Sequence, residues 1–214
     1  MSSTIDVDDQ ARDLAARWGG GRSPWDVSWG KLMMWLFLIS DAMTFAGLLI
    51  GLWVTRLASA TWPNHLPGVV NLPFVATMTV ILICSSTTMA MSVYAIRRGY
   101  PREAVWLLTA TIIAGLLFAG MQAREWSHFI GDGARLTGNP WGVPAFSFTF
   151  FVITGFHLMH VLAGLVYLCF ILVRNARGIS TPNEIQLFEL FWLFVYFGWN
   201  VVFVIVYLIP SGVA

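Results

Sequence analysis

The sequence predicts an all-α polytopic membrane protein, a bundle of five transmembrane helices with its amino terminus in the cytoplasm. Three observations support this fold class. Apolar residues make up 57% of the 214 residues and charged residues only 11%, whereas a soluble domain carries about a quarter charged residues. The 11 tryptophans and 16 phenylalanines suit extensive contact with the lipid–water boundary. Five apolar stretches are each long enough to cross a hydrocarbon core of about 30 Å.

Each apolar stretch is predicted to be a helix, because backbone groups in lipid must form their hydrogen bonds within the segment. The first stretch contains one acid, Asp41, and the second contains no charge. The third is uncharged after Glu103, the fourth is interrupted only by His157 and His160, and the fifth carries Glu189. The predicted spans cover about residues 31–56, 73–96, 103–123, 146–173 and 187–209.

Lysines and arginines are distributed unevenly between the two sides of these spans. Nine of the 12 lie before the first span or in the loops that follow the second and fourth spans. The positive-inside rule therefore predicts a cytoplasmic amino terminus and an outer carboxyl terminus. Residues 1–30 are predicted to be a mobile cytoplasmic tail and residues 31–214 the transmembrane domain. With only two cysteines the chain is not a small secreted module held together by disulfides. A net charge of +1 does not indicate binding to nucleic acid.

Asp41 is the costliest side chain to place in a membrane. It lies ten residues past Lys31, which is about 15 Å along a helix and near the bilayer midplane. An unpaired ionised acid there costs about 3 kcal/mol, so we expect Asp41 to face a partner helix or a wet cavity. Two interpretations remain open: a proton-exchanging or gating acid, and an acid that joins two helices by hydrogen bonds.

His157 and His160 lie three residues apart and therefore share one face of the fourth helix. The pair could ligate a metal, but a metal site needs at least a third protein ligand, which Asp41 alone could supply. Haem ligation by two histidines needs histidines on two facing helices, and the sequence has no second histidine-rich helix. Interhelical hydrogen bonding that includes Asp41 is therefore favoured, and the chain is expected to bind neither haem nor metal.

Glu125 closes the third span, with His128 close behind it. Position alone predicts that both residues belong to a polar rim at the membrane surface. Motifs for nucleophilic catalysis, phosphate binding or dinucleotide binding are not found in the sequence. The residues themselves therefore predict a helix bundle with one midplane acid and a nearby histidine pair, and they name no reaction.

Three motifs resemble haem-copper oxidase subunit III, the family of cytochrome c oxidase subunit III. Residues 35–47 place an acid before a Phe-Ala-Gly run, and residues 120–125 are similar to the family's Gly-Leu-Gln-Ala-x-Glu. Residues 154–164 are similar to its Thr-Gly-Phe-His-x-x-His-Val-x-x-Gly signature, the most specific of the three. The resemblance covers about residues 30–209 and corresponds to a five-helix form that lacks the first two of the usual seven helices.

The resemblance implies a non-catalytic accessory subunit of a cytochrome c oxidase in the aerobic respiratory chain, located in a bacterial inner membrane. Haem and copper would reside in partner subunits, namely catalytic subunit I together with subunit II. The family binds phospholipid, protects the catalytic subunit from inactivation and assists proton uptake. Asp41 falls where the family has a carbodiimide-reactive Glu, and Arg174 falls on the family's arginine that holds a lipid headgroup. A guanidinium at a helix end can also grip a phosphate with two hydrogen bonds.

The sequence also departs from the family. The acid at residue 41 is Asp rather than Glu, and the fifth span has Leu193 and Tyr196 where the family has His and Asp. Gln186 replaces a family Glu. These departures indicate a divergent branch, which serves an unusual oxidase or, as the alternative, a nitric-oxide reductase. Two further alternatives remain open: a free-standing proton-coupled transporter that uses Asp41, and an intramembrane metalloenzyme that uses Asp41 and the two histidines.

Overall fold

The computed structural model describes residues 29–60, 62–63, 71–179 and 181–209. The predicted tail over residues 1–30 lies outside this part of the chain, except for Trp29 and Gly30, which already belong to the first helix. The described residues form five long helices, all of them long and apolar enough to span a membrane. They are α1 (Trp29–Leu57), α2 (Leu72–Arg97), α3 (Pro101–Gly131), α4 (Pro144–Ala176) and α5 (Pro182–Val202), which continues as a π-helical turn (Phe203–Leu208).

The predicted fold class, an all-α chain with five long apolar helices, is thereby confirmed for the described residues, while the orientation of the termini stays a prediction. The predicted boundaries differ most at α3, which was expected to end near residue 123 and continues to Gly131. Hydropathy detects only the apolar part of a helix. In α3 the helix continues past that part through polar residues such as Glu125 and His128. Thus the helices are longer than the spans that hydropathy detects.

The helices begin at residues that favour a helix start. Helices α2 to α5 each have a proline in the first or second position, where the missing N–H is not needed for a helical hydrogen bond. Helix α5 also has a capping box, in which Thr181 accepts from the backbone N–H of Glu184 and the Glu184 carboxylate accepts from the Thr181 N–H. Such caps satisfy backbone donors that would otherwise lack partners.

The chain divides into two units, with the boundary inside α1 between Ala42 and Met43. The described part of the first unit, residues 29–42, is helical throughout. In the second unit, α2 packs beside α3 and α5, and α4 also packs beside α3 and α5. These four helices therefore form a closed ring, and residues from the second half of α1, including Phe45 and Leu52, add to its apolar core.

The centre of the ring is packed around Trp192 of α5, which is 1% exposed. A Cβ atom added at Gly164 of α4 would lie 2.9 Å from Trp192 Cζ3, and one added at Gly115 of α3 would lie 3.1 Å from Trp192 Cη2. Only glycine leaves room for the indole ring at both positions, since real Cβ contacts at such distances force a neighbour to move. The two glycines thus let three helices approach one large side chain.

Buried tryptophans also join the helices through hydrogen bonds. The indole N–H of Trp192 donates to Ser85 Oγ at 3.1 Å, and that of Trp199 donates to Thr79 Oγ1 at 3.0 Å. Both bonds connect α5 to α2. An indole N–H in an apolar interior needs such a partner, so these pairs fix the position of α5 in the ring.

Candidate functional site

His157 lies in the interior of the second unit and is 1% exposed. Its Nε2 atom is 3.1 Å from the backbone oxygen of Val195 on α5. A carbonyl oxygen only accepts hydrogen bonds, so Nε2 carries the proton and Nδ1 is left as an acceptor. Among the described residues Nδ1 has no hydrogen-bond partner. His157 therefore links α4 to α5 and keeps one buried nitrogen as an acceptor.

His160 lies one turn further along α4 and is also buried. Its Nδ1 atom donates to the backbone oxygen of Phe156, four residues earlier, at 2.8 Å. This bond fixes the orientation of the ring on the helix, and Phe156 packs edge-on against it with the ring centroids 4.7 Å apart. The two histidines therefore differ, because His157 bonds to a neighbouring helix and His160 bonds to its own.

Aromatic rings surround the two imidazoles. Phe45, in the second half of α1, lies 6.5 Å from His157 and 5.7 Å from His160 between ring centroids. Phe118 of α3 and Trp199 of α5 lie 5.6 and 5.1 Å from His157. Within the described ranges, His, Cys, Asp and Glu side chains form no group of three that could hold a metal ion. The geometry therefore gives the metalloenzyme alternative no support.

Asp41 belongs to the first unit, whereas both histidines belong to the second. The residue is 8% exposed and lies in α1, four residues before Phe45. Its predicted association with the histidine pair stays a prediction, since the two units are described separately.

Arg174 lies in the last turn of α4. Its Nη2 atom donates to both carboxylate oxygens of Glu184, at 3.1 and 3.3 Å, and its guanidinium lies 5.6 Å from the ring centroid of Phe170. About a third of each charged side chain remains exposed, 32% for Arg174 and 38% for Glu184. The arginine is thus oriented at the helix end and still reachable from outside, but it already shares its charge with a carboxylate.

The two residues assigned to a polar rim have different surroundings. The side chain of His128 is 64% exposed and pairs with Asp132 at 3.0 Å. Glu125, one turn earlier, is only 7% exposed. Its Oε2 atom accepts hydrogen bonds from Gln122 Nε2 at 2.7 Å and from the Tyr207 hydroxyl at 3.0 Å. Glu125 is therefore part of the interior and not of the surface.

Sequence reasoning missed Gln122 and Tyr207 as partners of Glu125. Gln122 could have been found, because it precedes Glu125 by three residues and so shares its helix face. Tyr207 lies 82 residues away in sequence and in a π-helical turn, which shifts side chains from the positions expected of a regular helix. Of the two departures in the fifth span, Leu193 is exposed and Tyr196 is half-buried.

The fold and the site together define a multi-pass membrane protein whose buried polar groups are histidines, acids and their hydrogen-bond partners. The family model for cytochrome c oxidase subunit III matches residues 19–211. Three relatives are similar in sequence to most of this chain. Cytochrome c oxidase subunit 3 of Corynebacterium diphtheriae is 31% identical over 92% of this chain and 96% of the relative. Quinol oxidase subunit 3 of Bacillus spizizenii is 33% identical over 85% and 87%, and cytochrome bo(3) ubiquinol oxidase subunit 3 of Pseudomonas aeruginosa is 30% identical over 83% of each.

The chain belongs to the cytochrome c oxidase subunit III family. It is therefore subunit III of a haem-copper terminal oxidase, a cytochrome c or quinol oxidase, and works in a complex with partner catalytic subunits. The family generally lacks metal centres of its own. The resemblance seen in the three sequence motifs is thus confirmed, and family membership favours a terminal oxidase over the transporter and nitric-oxide reductase alternatives.

Proposed function

We propose that this chain is a non-catalytic subunit that binds phospholipid, stabilises the catalytic subunit and assists proton uptake by the oxidase. The observation that carries the proposal is the family match over residues 19–211, which includes all five helices. The buried histidines support it, because they place imidazole rings in the interior, and the described residues contain no group that could hold a metal ion there. The proposed partners are subunit I, which holds haem and copper, and subunit II.

The electron donor of the complex has two candidates. Cytochrome c is the donor that the family resemblance implies and that the name of the Corynebacterium diphtheriae relative gives. Quinol is the second candidate, since two of the three relatives described above are named as quinol oxidase subunits. Oxygen consumption by the purified complex with reduced cytochrome c or with ubiquinol as the only donor distinguishes them.

The orientation of the chain is part of the proposal. The positive-inside rule places the amino terminus and the Arg174 end of α4 in the cytoplasm of a bacterium. A cysteine introduced at Arg177, at the start of the loop after α4, should react with a membrane-impermeant maleimide only in inside-out vesicles. A cysteine introduced at Ser127, near the other end of the ring, should react only in right-side-out vesicles, and the reverse pattern would contradict the proposed orientation.

The complex itself can be tested by purification of the tagged chain in mild detergent. We expect haem-bearing partner subunits to co-purify and the eluate to consume oxygen. A chain that elutes as a homo-oligomer without haem, and that moves protons in proteoliposomes, would contradict the proposal and support the transporter alternative.

Arg174 is the proposed ligand of a lipid phosphate. Its Nη2 atom is occupied by Glu184, which leaves the donors on Nε and Nη1 for a phosphate group. Arg174→Ala should lower the amount of anionic or zwitterionic phospholipid retained by the purified complex. Arg177→Ala removes a charge from the same end and is the matched control. Equal lipid retention in both variants would contradict a specific role of Arg174.

Asp41, His157 and His160 are the proposed proton-exchanging or gating groups. Asp41→Asn preserves the size and hydrogen-bonding capacity of the side chain but removes its exchangeable proton. We expect assembly to persist and proton-coupled turnover, or the number of turnovers before inactivation, to fall several-fold. Asp132→Asn, at an exposed helix end, is the matched control. Unchanged turnover and catalytic lifetime in Asp41→Asn would reduce Asp41 to a packing role.

A further inference from the structure

Glu125 is the centre of a buried polar cluster at the end of the ring where α3 ends. The cluster contains Gln122 from the same helix and Tyr207 from the π-helical turn that follows α5, and all three residues are buried. Both partners donate to a single carboxylate oxygen, Oε2, at 2.7 and 3.0 Å. The carboxyl group is therefore held in one position by two donors from two elements.

Two oxygen atoms of the cluster are acceptors without a donor. Neither Oε1 of Glu125 nor Oε1 of Gln122 has a hydrogen-bond partner in the described part of the chain, and both atoms are buried. A buried acceptor without a donor is unfavourable. A proton bound at Glu125 Oε1 turns that acceptor into a donor and removes a buried negative charge, so the arrangement has a place for one proton.

The charges around Glu125 do not supply an alternative partner. Across the described ranges, no lysine or arginine forms a salt bridge with its carboxyl group. Arg124, the preceding residue, places its guanidinium 5.3 Å from the ring centroid of Phe74 on α2. Arg56 of α1 donates to the backbone oxygen of Ile209. The titratable group that contacts Glu125 from a neighbouring element is Tyr207, whose hydroxyl is already a donor to it.

Glu125 is also close to water. Helix α3 ends at Gly131, and His128 lies only one turn, or about 4.5 Å, beyond Glu125 along the helix axis. His128 and Asp132 are both exposed, and His128 Nδ1 lies 3.0 Å from Asp132 Oδ2. The end of α3 is therefore open to its surroundings one helical turn from the buried carboxyl group.

The geometry points to Glu125 as a second proton-binding site of the subunit, separate from Asp41 and the histidine pair. A proton from water at this end of the ring forms an O–H bond at Oε1 and returns to the same water when it is released. The two hydrogen bonds donated to Oε2 stabilise the ionised carboxylate, whereas the apolar surroundings and the two unpartnered oxygen atoms favour the protonated carboxyl group. Tyr207 and Gln122 are positioning residues that let the site hold either form.

The test is infrared difference spectroscopy of the purified oxidase complex between acidic and alkaline pH; the use of the complex rests on the proposed function. We expect a C=O stretching band of a protonated carboxyl group that shifts in deuterated water. Glu125→Gln should remove the component of this band that comes from Glu125 and leave any component from Asp41, and Tyr207→Phe should shift the Glu125 component by removing one hydrogen bond from Oε2. Glu103→Gln, an exposed acid on the same helix, should leave it unchanged.

A pH-difference spectrum of Glu125→Gln that still contains the full band overturns the inference, as does a band that Tyr207→Phe leaves in place. If Glu125→Gln does not assemble, the shift in Tyr207→Phe, which retains the acid, decides alone. If the chain purifies without haem-bearing partners, the proposed function fails, and the same spectra of the isolated chain still test Glu125. The two failures are therefore distinguishable.

Discussion

The two ends of the four-helix ring use carboxylates in opposite ways. At one end, Glu184 pairs with Arg174 and both side chains keep about a third of their surface exposed, 38% and 32%. At the other end, Glu125 is buried and its partners are the neutral side chains of Gln122 and Tyr207. One acid is thus held by a charge near water and the other by two neutral donors in the interior.

The difference follows from the dielectric surroundings. An ion pair at the surface is screened by water and salt and contributes about 0–1 kcal/mol. A hydrogen bond in the interior is less screened, and a donor left there without a partner costs about 1–3 kcal/mol. The Glu184 end is therefore suited to exchange partners such as a lipid phosphate, whereas the Glu125 end is suited to hold a fixed geometry around one carboxyl group.

The largest expected change in the free energy of unfolding is that of Glu125→Ala. This change leaves the Tyr207 hydroxyl and the Gln122 amide without their shared acceptor, so we expect the free energy of unfolding to fall by about 2 kcal/mol or more. Thermal unfolding of the purified subunit in detergent, followed by tryptophan fluorescence, measures it. The loss should be the same at low and high salt. A loss below about 0.5 kcal/mol would mean that water replaces the acceptor and that the cluster is not dry.

Glu184→Gln should have a smaller effect. It removes the ion pair with Arg174 but keeps an acceptor that can still bond to the Thr181 N–H in the capping box, so the expected loss is below about 1 kcal/mol. Unlike the loss at Glu125, this one should vanish as salt is raised, because screening weakens the pair in the parent protein too. Unfolding curves at two salt concentrations check this. A loss that persists at high salt would show that the pair is shielded from solvent.

The sequence predicted the spans and the histidine pair because these depend on local properties. Hydropathy over about twenty residues identifies a membrane helix, and a spacing of three places His157 and His160 on one face. Family motifs added the identity of the chain, which composition and spacing could not provide. The interior position of His157 and its bond to Val195 follow from the arrangement of α4 against α5, which no single segment encodes.

Glu125 shows where such reasoning is limited. Its position near the end of an apolar stretch predicted a place in a polar rim at the membrane surface, and nothing in that position indicated burial within the bundle. Helix α3 continues to Gly131, and the turn after α5 lies beside Glu125. Burial is set by what a neighbouring helix covers, and here the π-helical turn brings Tyr207 onto the carboxyl group. Hydropathy and helical spacing describe one helix at a time, so they could not predict this contact between α3 and the end of α5.

The smallest expected change in the free energy of unfolding is that of His128→Ala. His128 lies at the same end of the ring as Glu125, but its side chain is exposed. Its partner Asp132 is exposed, so loss of the pair should change the free energy of unfolding by less than about 0.5 kcal/mol. Asp132→Asn changes the same pair from its other side and should give an equally small change. A stability loss above about 1 kcal/mol would contradict the distinction drawn here, because an exposed pair would then contribute as much as a buried carboxyl cluster.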